Sequence, residues 1–200
     1  VSIKSELKRK ALHLTGLSVP VIYLLFDRRV TLIFVSLALI IFIILEPFRI
    51  VEELREKIKA KLGIYGEHIE RIEREIVREH ERYTIGAHIY FTVAALLIIW
   101  FFPKDIAIGS IAVATLGDAI AAIVGKPFGR HRFSNGKSLE GSLSYFIIAI
   151  LILMPLIDLP HAIIGALAGT LAEFYELPPD DNFSNQIAVA ITLYVFRILS

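Results

Sequence analysis

The chain contains no cysteine, which excludes disulfides and thiolate metal sites. Its six histidines are scattered and form no His-Glu-x-x-His pair, which argues against a zinc site. It lacks an excess of either charge: the formal net charge is +1, so nothing in the composition points to a nucleic-acid partner. The lysine-bearing start runs into an apolar stretch without an Ala-x-Ala cleavage site. Further apolar stretches follow, so it is expected to be a retained first helix rather than a signal peptide. The first residue is Val1 rather than Met, and trimming of the start is expected on that ground.

Apolar residues, by contrast, are abundant. They make up 56% of the 200 residues, against about 45–50% in an average soluble domain. They come in blocks rather than spread through the chain. A helix needs about 20 apolar residues to cross the hydrocarbon of a bilayer. Seven windows approach that length, at 11–26, 29–46, 84–102, 105–125, 141–158, 161–177 and 183–199. Asp27-Arg28-Arg29, Pro103-Lys104-Asp105 and Asp158-Leu159-Pro160 read as tight turns between them. The expected fold is all-α: one polytopic membrane domain over 1–200, with about seven transmembrane helices.

Basic residues predict the orientation. The start carries four, the polar stretch 47–83 carries nine and the segment 126–137 carries four, together 17 of the 21. With seven spans these all fall on one side, so the N-terminus and the loops 126–140 and 178–183 are expected to be cytoplasmic. Within 47–83, Val51, Leu54, Ile58 and Leu62 recur at helical spacing, as do Ile69, Ile72 and Ile76, with Gly63 and Gly66 between the two runs. The pattern predicts amphipathic helices in the membrane interface, forming either a solvated connector or a cover over a lipid-access groove.

Asp118 stands out because it lies inside an apolar span. An ionisable group there costs about 2.5–3.5 kcal/mol on insertion scales and is a functional residue by default. Pairing with a neighbouring helix for structure alone is the alternative. Gly109, Gly117 and Gly125 repeat every eight residues along the same span and predict close helix packing, with Gly125 also able to admit a ligand to the backbone.

The loop that follows, from Gly125 to Gly141, combines four glycines (125, 129, 136 and 141) with Lys126, Arg130, Arg132 and Lys137. Glycines let amides turn toward an anion, and the cations neutralise phosphate. It is not a Walker A loop, because His131 stands where Gly136-Lys137-Ser138 would require glycine. An ordinary cationic membrane anchor is the alternative.

A third group closes the sixth window. Gly165, Gly169 and Glu173 fall four residues apart, then Glu176 and Pro178-Pro179-Asp180-Asp181-Asn182 follow. The two prolines stop a helix, and Asp181 or Asn182 is placed to cap the next one. Equally, two aspartates and an asparagine are hard oxygen ligands that suit Mg²⁺ bound together with phosphates. At the start, Arg9, Lys10 and His13 lie within about one helical turn. An orienting charge explains the cations there but not His13 inside the apolar segment. An intramembrane acid, a flexible cationic loop and a second acidic loop together suit Mg²⁺-assisted chemistry on a phosphate compound.

Four stretches resemble the family of dolichol kinase, phytol kinase and CTP-dependent diacylglycerol kinase, which is related to phosphatidate cytidylyltransferase. They are Glu6 to His13, similar to an Arg-Lys-x-x-His motif; Arg78-Glu79 through Gly86 to Tyr90-Phe91; Gly117-Asp118 through Gly125-Lys126, Gly129-Arg130-His131 and Gly136-Lys137-Ser138-Leu139-Glu140-Gly141; and Glu173 with Asp180-Asp181-Asn182. The resemblance implies CTP-dependent phosphorylation of a lipid alcohol with a divalent metal. It places Asp118 and Gly125 in the CTP site, with Gly129, Lys137, Glu140 and Gly141 lining the same loop. Arg9 and Lys10 are needed for activity on that pattern, and Glu173, Asp180, Asp181 and Asn182 complete the acidic side. Asn185-Gln186 depart from the family, which often has a hydrophobic residue and proline there. Richness in Ile, Glu and Arg hints at a thermophile, and if the source is archaeal, a polyprenol or other isoprenoid alcohol is the natural substrate. The expected partners are CTP, a membrane lipid alcohol and the bilayer, with room for a homodimer. The competing functions are a CDP-lipid synthase, a diacylglycerol kinase and a small ion-coupled transporter, the last disfavoured by the lack of an inverted repeat.

Overall fold

A computed structural model of the protein describes residues 3–51 and 85–200, together with positions 54, 56, 57, 60, 61 and 63. Most of the stretch expected to form amphipathic helices lies outside the described residues, as does Arg78-Glu79.

The described residues are helical throughout, apart from turns and one isolated bridge. In chain order they form α1 (Ile3–His13), a 3₁₀ turn (Leu14–Leu17), α2 (Ser18–Leu25), α3 (Arg28–Ile50), α4 (Ala87–Phe101), α5 (Lys104–Phe128), α6 (Leu139–Leu153), α7 (Leu159–Tyr175) and α8 (Asp181–Leu199). The all-α expectation is met. Two of these helices are long and apolar enough to cross a membrane, over Arg28–Pro47 and Lys104–Phe128, while the apolar helices α4 and α6 are shorter. The structure therefore supports helical apolar elements at the expected places but not by itself a count of seven spans.

The expected turns are built by side-chain caps. Asp27 accepts a hydrogen bond from Val30 N at 2.9 Å and starts α3, and Asp158 accepts from His161 N at 3.2 Å and starts α7. Such caps satisfy amides that a helix start leaves without partners.

The first window is not one helix. It breaks at 14–17, where Ser18 N–H reaches back only to Thr15 O and Gly16 O. Pro20 supplies no N–H for the carbonyl four residues back, and Gly16 tolerates the break. A Cβ on Gly16 would come within 2.7 Å of the Phe91 ring, so this glycine is also a point of close approach to α4.

Helix α5 is the axis of the bundle. It is buried from Ile106 to Thr115 without interruption, and 72% of its apolar window is buried, against 17% for α3. Its glycines explain how α6 comes so close. A Cβ on Gly109 would meet Leu153 at 2.7 Å, one on Gly117 would meet the Tyr145 ring at 2.6 Å, and one on Gly125 would meet Ser138 Oγ at 2.8 Å. On α7, Gly165 packs the same way on Leu193 and Gly169 on Val189 and Tyr145. The core includes Tyr23, Ile98, Ile111, Tyr145, Leu153 and Leu193. Outside it, α3 turns Ile33, Leu37, Ile40 and Ile44 outward, and α4 does the same with Trp100 and Phe101. Such an apolar exterior, on helices whose backbone bonds are internal, is of the kind that suits a membrane protein.

Candidate active site

One end of the bundle gathers the charged residues that the sequence singles out. Asp118 projects from α5 toward α1, where Lys10 donates to its Oδ2 and His13 Nε2 lies 3.5 Å from the same oxygen. The Lys10 side chain is 4% exposed and that of Asp118 15%. The pair is therefore almost fully withdrawn from solvent, where removing one partner strands the other.

The loop after α5 is a pinned hairpin. Arg132 and Ser138 form the isolated antiparallel bridge, Phe133 N donates to Lys137 O at 2.9 Å, and Leu139 N donates to His131 O at 2.9 Å. Gly136 turns the chain at φ 82°, a conformation glycine adopts without strain. Three ties dock the hairpin. Arg132 donates to the carbonyls of Lys126 (2.8 Å) and Gly125 (3.2 Å) at the end of α5. Ser138 Oγ accepts from Gly141 N at 3.1 Å and starts α6. Asn135 Nδ2 donates to Phe174 O at 2.8 Å, while the Phe133 and Phe174 rings meet edge to face.

The hairpin thereby delivers Lys137 to the end of α7. Its Nζ donates to Glu173 Oε1 at 2.6 Å and lies 3.2 Å from Glu176. Burial works against the charge on Lys137, but the Glu173 and Glu176 carboxylates outweigh it and hold the ammonium above the usual lysine range. Helix α7 ends at Glu176 in the left-handed conformation, and Pro178 and Pro179 follow. Asp180 then caps α8, accepting from Asn182 N at 2.9 Å. The residue that caps is thus Asp180, rather than Asp181 or Asn182. Asn182 donates its amide to both aspartates. Burial, and beyond it the charges of Asp118 and Asp180, push the Asp181 carboxyl up to about 6.

A cavity of about 320 Å³ lies between these segments. Arg9 and Lys10 reach it from α1, Asp118, Gly125 and Lys126 from α5, Gly136, Lys137, Ser138 and Gly141 from the hairpin and the start of α6, Glu173 from α7 and Asp181 from α8. Five segments distant in sequence therefore meet at one end of the bundle. Seven of the expected site residues do not line it. Gly129, Arg130, His131 and Glu140 surround a separate depression beyond the hairpin. There Glu140 accepts from His131 N and lies 2.9 Å from His131 Nδ1. Its own backbone amide and then the His131 ring hold its carboxyl down at about 2. A Cβ on Gly129 would strike Gly125 O, so that position serves the turn. Gly117, next to Asp118 on α5, packs against Tyr145 instead, and neither Asp180 nor Asn182 is part of the cavity wall.

A divalent cation finds no ready-made cage: among the described residues no group of three His, Asp or Glu side chains converges on one point. The carboxylates of Asp118, Glu173 and Asp181 do share the cavity, and Glu173 Oε2 is buried without a hydrogen bond. That donor set fits an ion whose remaining ligands are phosphate oxygens, which is how Mg²⁺ commonly binds. Chemically, the cavity offers cations to a polyphosphate and carboxylates to a metal or a proton.

Several participants are hard to find from sequence. Asn135 has no charge to mark it; only the Asn-Gly pair signals a turn. His13 is notable in the sequence as a histidine inside an apolar run, but its approach to Asp118 is a long-range fact. The departure at Asn185-Gln186 also gains an explanation. Both are buried, and Gln186 donates to Asn182 O at 2.7 Å and to Phe91 O at 3.3 Å, tying α8 to α4.

No family model matches the chain, and no solved structure does. Several curated proteins do. An uncharacterized protein of Rickettsia prowazekii is 27% identical over 96% of the chain and 94% of its own length. The dolichol kinase of Schizosaccharomyces pombe is 34% identical over 38% of the chain, and a CTP-dependent diacylglycerol kinase of the same yeast is 27% identical over 40%. The chain spans 17% and 38% of the length of those two kinases. The similarity is therefore to lipid kinases of the family whose motifs the sequence resembles.

Proposed function

We propose that the chain is the catalytic core of a CTP-dependent lipid kinase that phosphorylates a polyprenol- or dolichol-type alcohol at the cytoplasmic face of a membrane. The observation that carries this reading is the cavity in which Arg9, Lys10, Asp118, Lys137, Glu173 and Asp181 meet. Its cations suit the triphosphate of a nucleotide. Asp118, Glu173 and Asp181 would hold Mg²⁺, which neutralises developing charge on the transferred group when bound. The lipid-facing exterior and the similarity to lipid kinases supply the substrate class. In this reading all seven apolar windows cross or enter the bilayer, and the excess of cations in the start and the 126–137 segment sets the cavity on the cytoplasmic side.

The reaction in this reading is a phosphoryl transfer. The alcohol oxygen forms a bond to the γ-phosphorus of CTP while the bond from that phosphorus to the β–γ bridging oxygen breaks, its electron pair leaving with CDP. The hydroxyl proton passes to a carboxylate of the cavity, a role assigned here to Asp118. Lys137 and Lys10 act by position and charge, the main contributions that phosphoryl transfer requires of a protein.

The test is incubation of purified protein with Mg²⁺, γ-labelled CTP and a panel of polyprenols and diacylglycerol. Label entering a polyprenol is the expected result, and preference for diacylglycerol would redirect the substrate. No labelled lipid, with pyrophosphate released when a lipid phosphate is supplied, would replace the kinase by a CDP-lipid synthase.

A further inference from the structure

A second cavity, of about 380 Å³, lies on the other side of α1, and nothing above assigns it a role. Its walls are mostly apolar, with Val19 from α2, Phe34, Val35, Ala38 and Phe42 from α3 and Phe91 from α4, and Thr15, Ser18, His88 and Thr92 add polar groups to the lining. Phe34 at its rim and Leu12 beside it are exposed on the outer surface, where α3 presents the apolar side chains that face lipid. Its inner end is polar and holds Arg9, His13 and Asn182.

Two features join this groove to the polar cavity. Arg9 lines both, and Asn182, in the groove, is adjacent in sequence to Asp181, in the polar cavity. His13 stands at the junction. Its ring meets Phe91 of the groove edge to face at 6.1 Å, its Nε2 lies 3.5 Å from Asp118, and that nitrogen is buried without a hydrogen bond. A buried polar atom without a partner is rare and calls for one. A volume of this size with apolar walls and a few converging polar groups is the usual form of a small-molecule site.

We infer that the groove between α2, α3 and α4 holds the hydrocarbon of the acceptor alcohol, with its hydroxyl beside His13 at the junction of the two cavities. This rests on the kinase reading for the chemistry, but the binding site stands on its own geometry. Phe91 of the apolar wall lies directly beside His13, so an occupant that sets a hydroxyl at His13 carries hydrocarbon next to it, as a long-chain alcohol does. Gly16 keeps the groove open at this point, since any side chain would press on the Phe91 ring.

The experiment uses the full chain in detergent or nanodiscs and a polyprenol carrying a diazirine on its first isoprene unit. After irradiation, label is expected on peptides spanning 34–42 and 87–92, and to be displaced by excess unlabelled polyprenol. In parallel, Ala38→Trp should raise KM for the polyprenol roughly tenfold or more and leave KM for CTP within about twofold. Ala38→Leu, which is gentler on folding, should give an intermediate rise. Label confined to other helices, or an unchanged lipid KM in both folded variants, would overturn the groove assignment. The two readings fail separately. Competed label in the groove without phosphorylated product from any nucleotide would uphold the groove and sink the kinase. Product formed by the wild type, with label elsewhere, would do the reverse.

Discussion

The two ends of the helical bundle use the same ion-pair chemistry to different effect. At one end Arg197 meets Asp105 at 2.5 Å, with the two side chains 35% and 36% exposed. Around it Arg28 donates to Phe102 O and Lys104 to Phe26 O, so the cations there close turns between helices. At the other end Lys10–Asp118 and Lys137–Glu173 are withdrawn from solvent and surround a cavity. Exposed pairs contribute about 0–1 kcal/mol, whereas breaking a buried pair costs about 3–5 kcal/mol. A chain that only needed orienting charges and turn closure would be served by the first arrangement. The second carries a standing cost in desolvation, which is reasonable where a ligand's phosphates and metal exchange with the internal partners.

The largest effect should come from Asp118→Asn. On the kinase proposal, loss of the carboxylate removes the proton acceptor and one metal oxygen, so turnover should fall by at least about 100-fold. The protein should still elute as a single folded species in detergent, and activity close to wild type would remove Asp118 from the mechanism. Next is Lys137→Ala. A charge-assisted hydrogen bond is worth about 1.5–3 kcal/mol, so KM for CTP should rise about tenfold or more while KM for the lipid changes little. An unchanged nucleotide KM would return the hairpin to the role of a membrane anchor.

A smaller effect is expected from pH. With the Asp181 carboxyl raised to about 6, protons compete with a cation for the same oxygens below that value. Apparent Mg²⁺ affinity should therefore improve as pH rises from 5 to 7 and level off above, whereas a flat profile across that range would take Asp181 out of the metal site. The smallest effect belongs to Asp105→Asn at the opposite end. Both partners are about one-third exposed, so stability should drop by no more than about 1 kcal/mol and turnover should be unchanged. A large loss of activity from that substitution would erase the contrast between the two ends.

Much of this contrast is legible in the sequence, because apolar blocks and turn residues are local signals. The turns at Asp27 and Asp158 and the glycine spacing on α5 follow from short-range rules, and the structure has helix breaks and close packing there. The break at 14–17 is less legible: Pro20 and Gly16 permit it, but the approach of Phe91 from a distant helix makes Gly16 necessary. At the site, the residue types of Asp118, Lys137 and Glu173 mark them, yet which cation answers which acid is a tertiary fact. The pairs Lys10–Asp118 and Lys137–Glu173 join positions 108 and 36 residues apart. The same limit applies to Glu140 and His131. Their place in a glycine-cation loop groups them with Lys137, whereas the hairpin turns them outward to a separate depression. The apolar groove has almost no sequence signature, since its walls are ordinary core residue types.

The most direct measurement runs two reactions side by side on purified protein with Mg²⁺ and polyprenol, one with CTP labelled at the γ-phosphate and one with CTP labelled at the α-phosphate. Phosphoryl transfer into the cavity's lipid acceptor predicts label in the lipid from the γ-position and none from the α-position, with CDP as the other product. Label from the α-position, or from neither while the protein is folded and binds CTP, would contradict it.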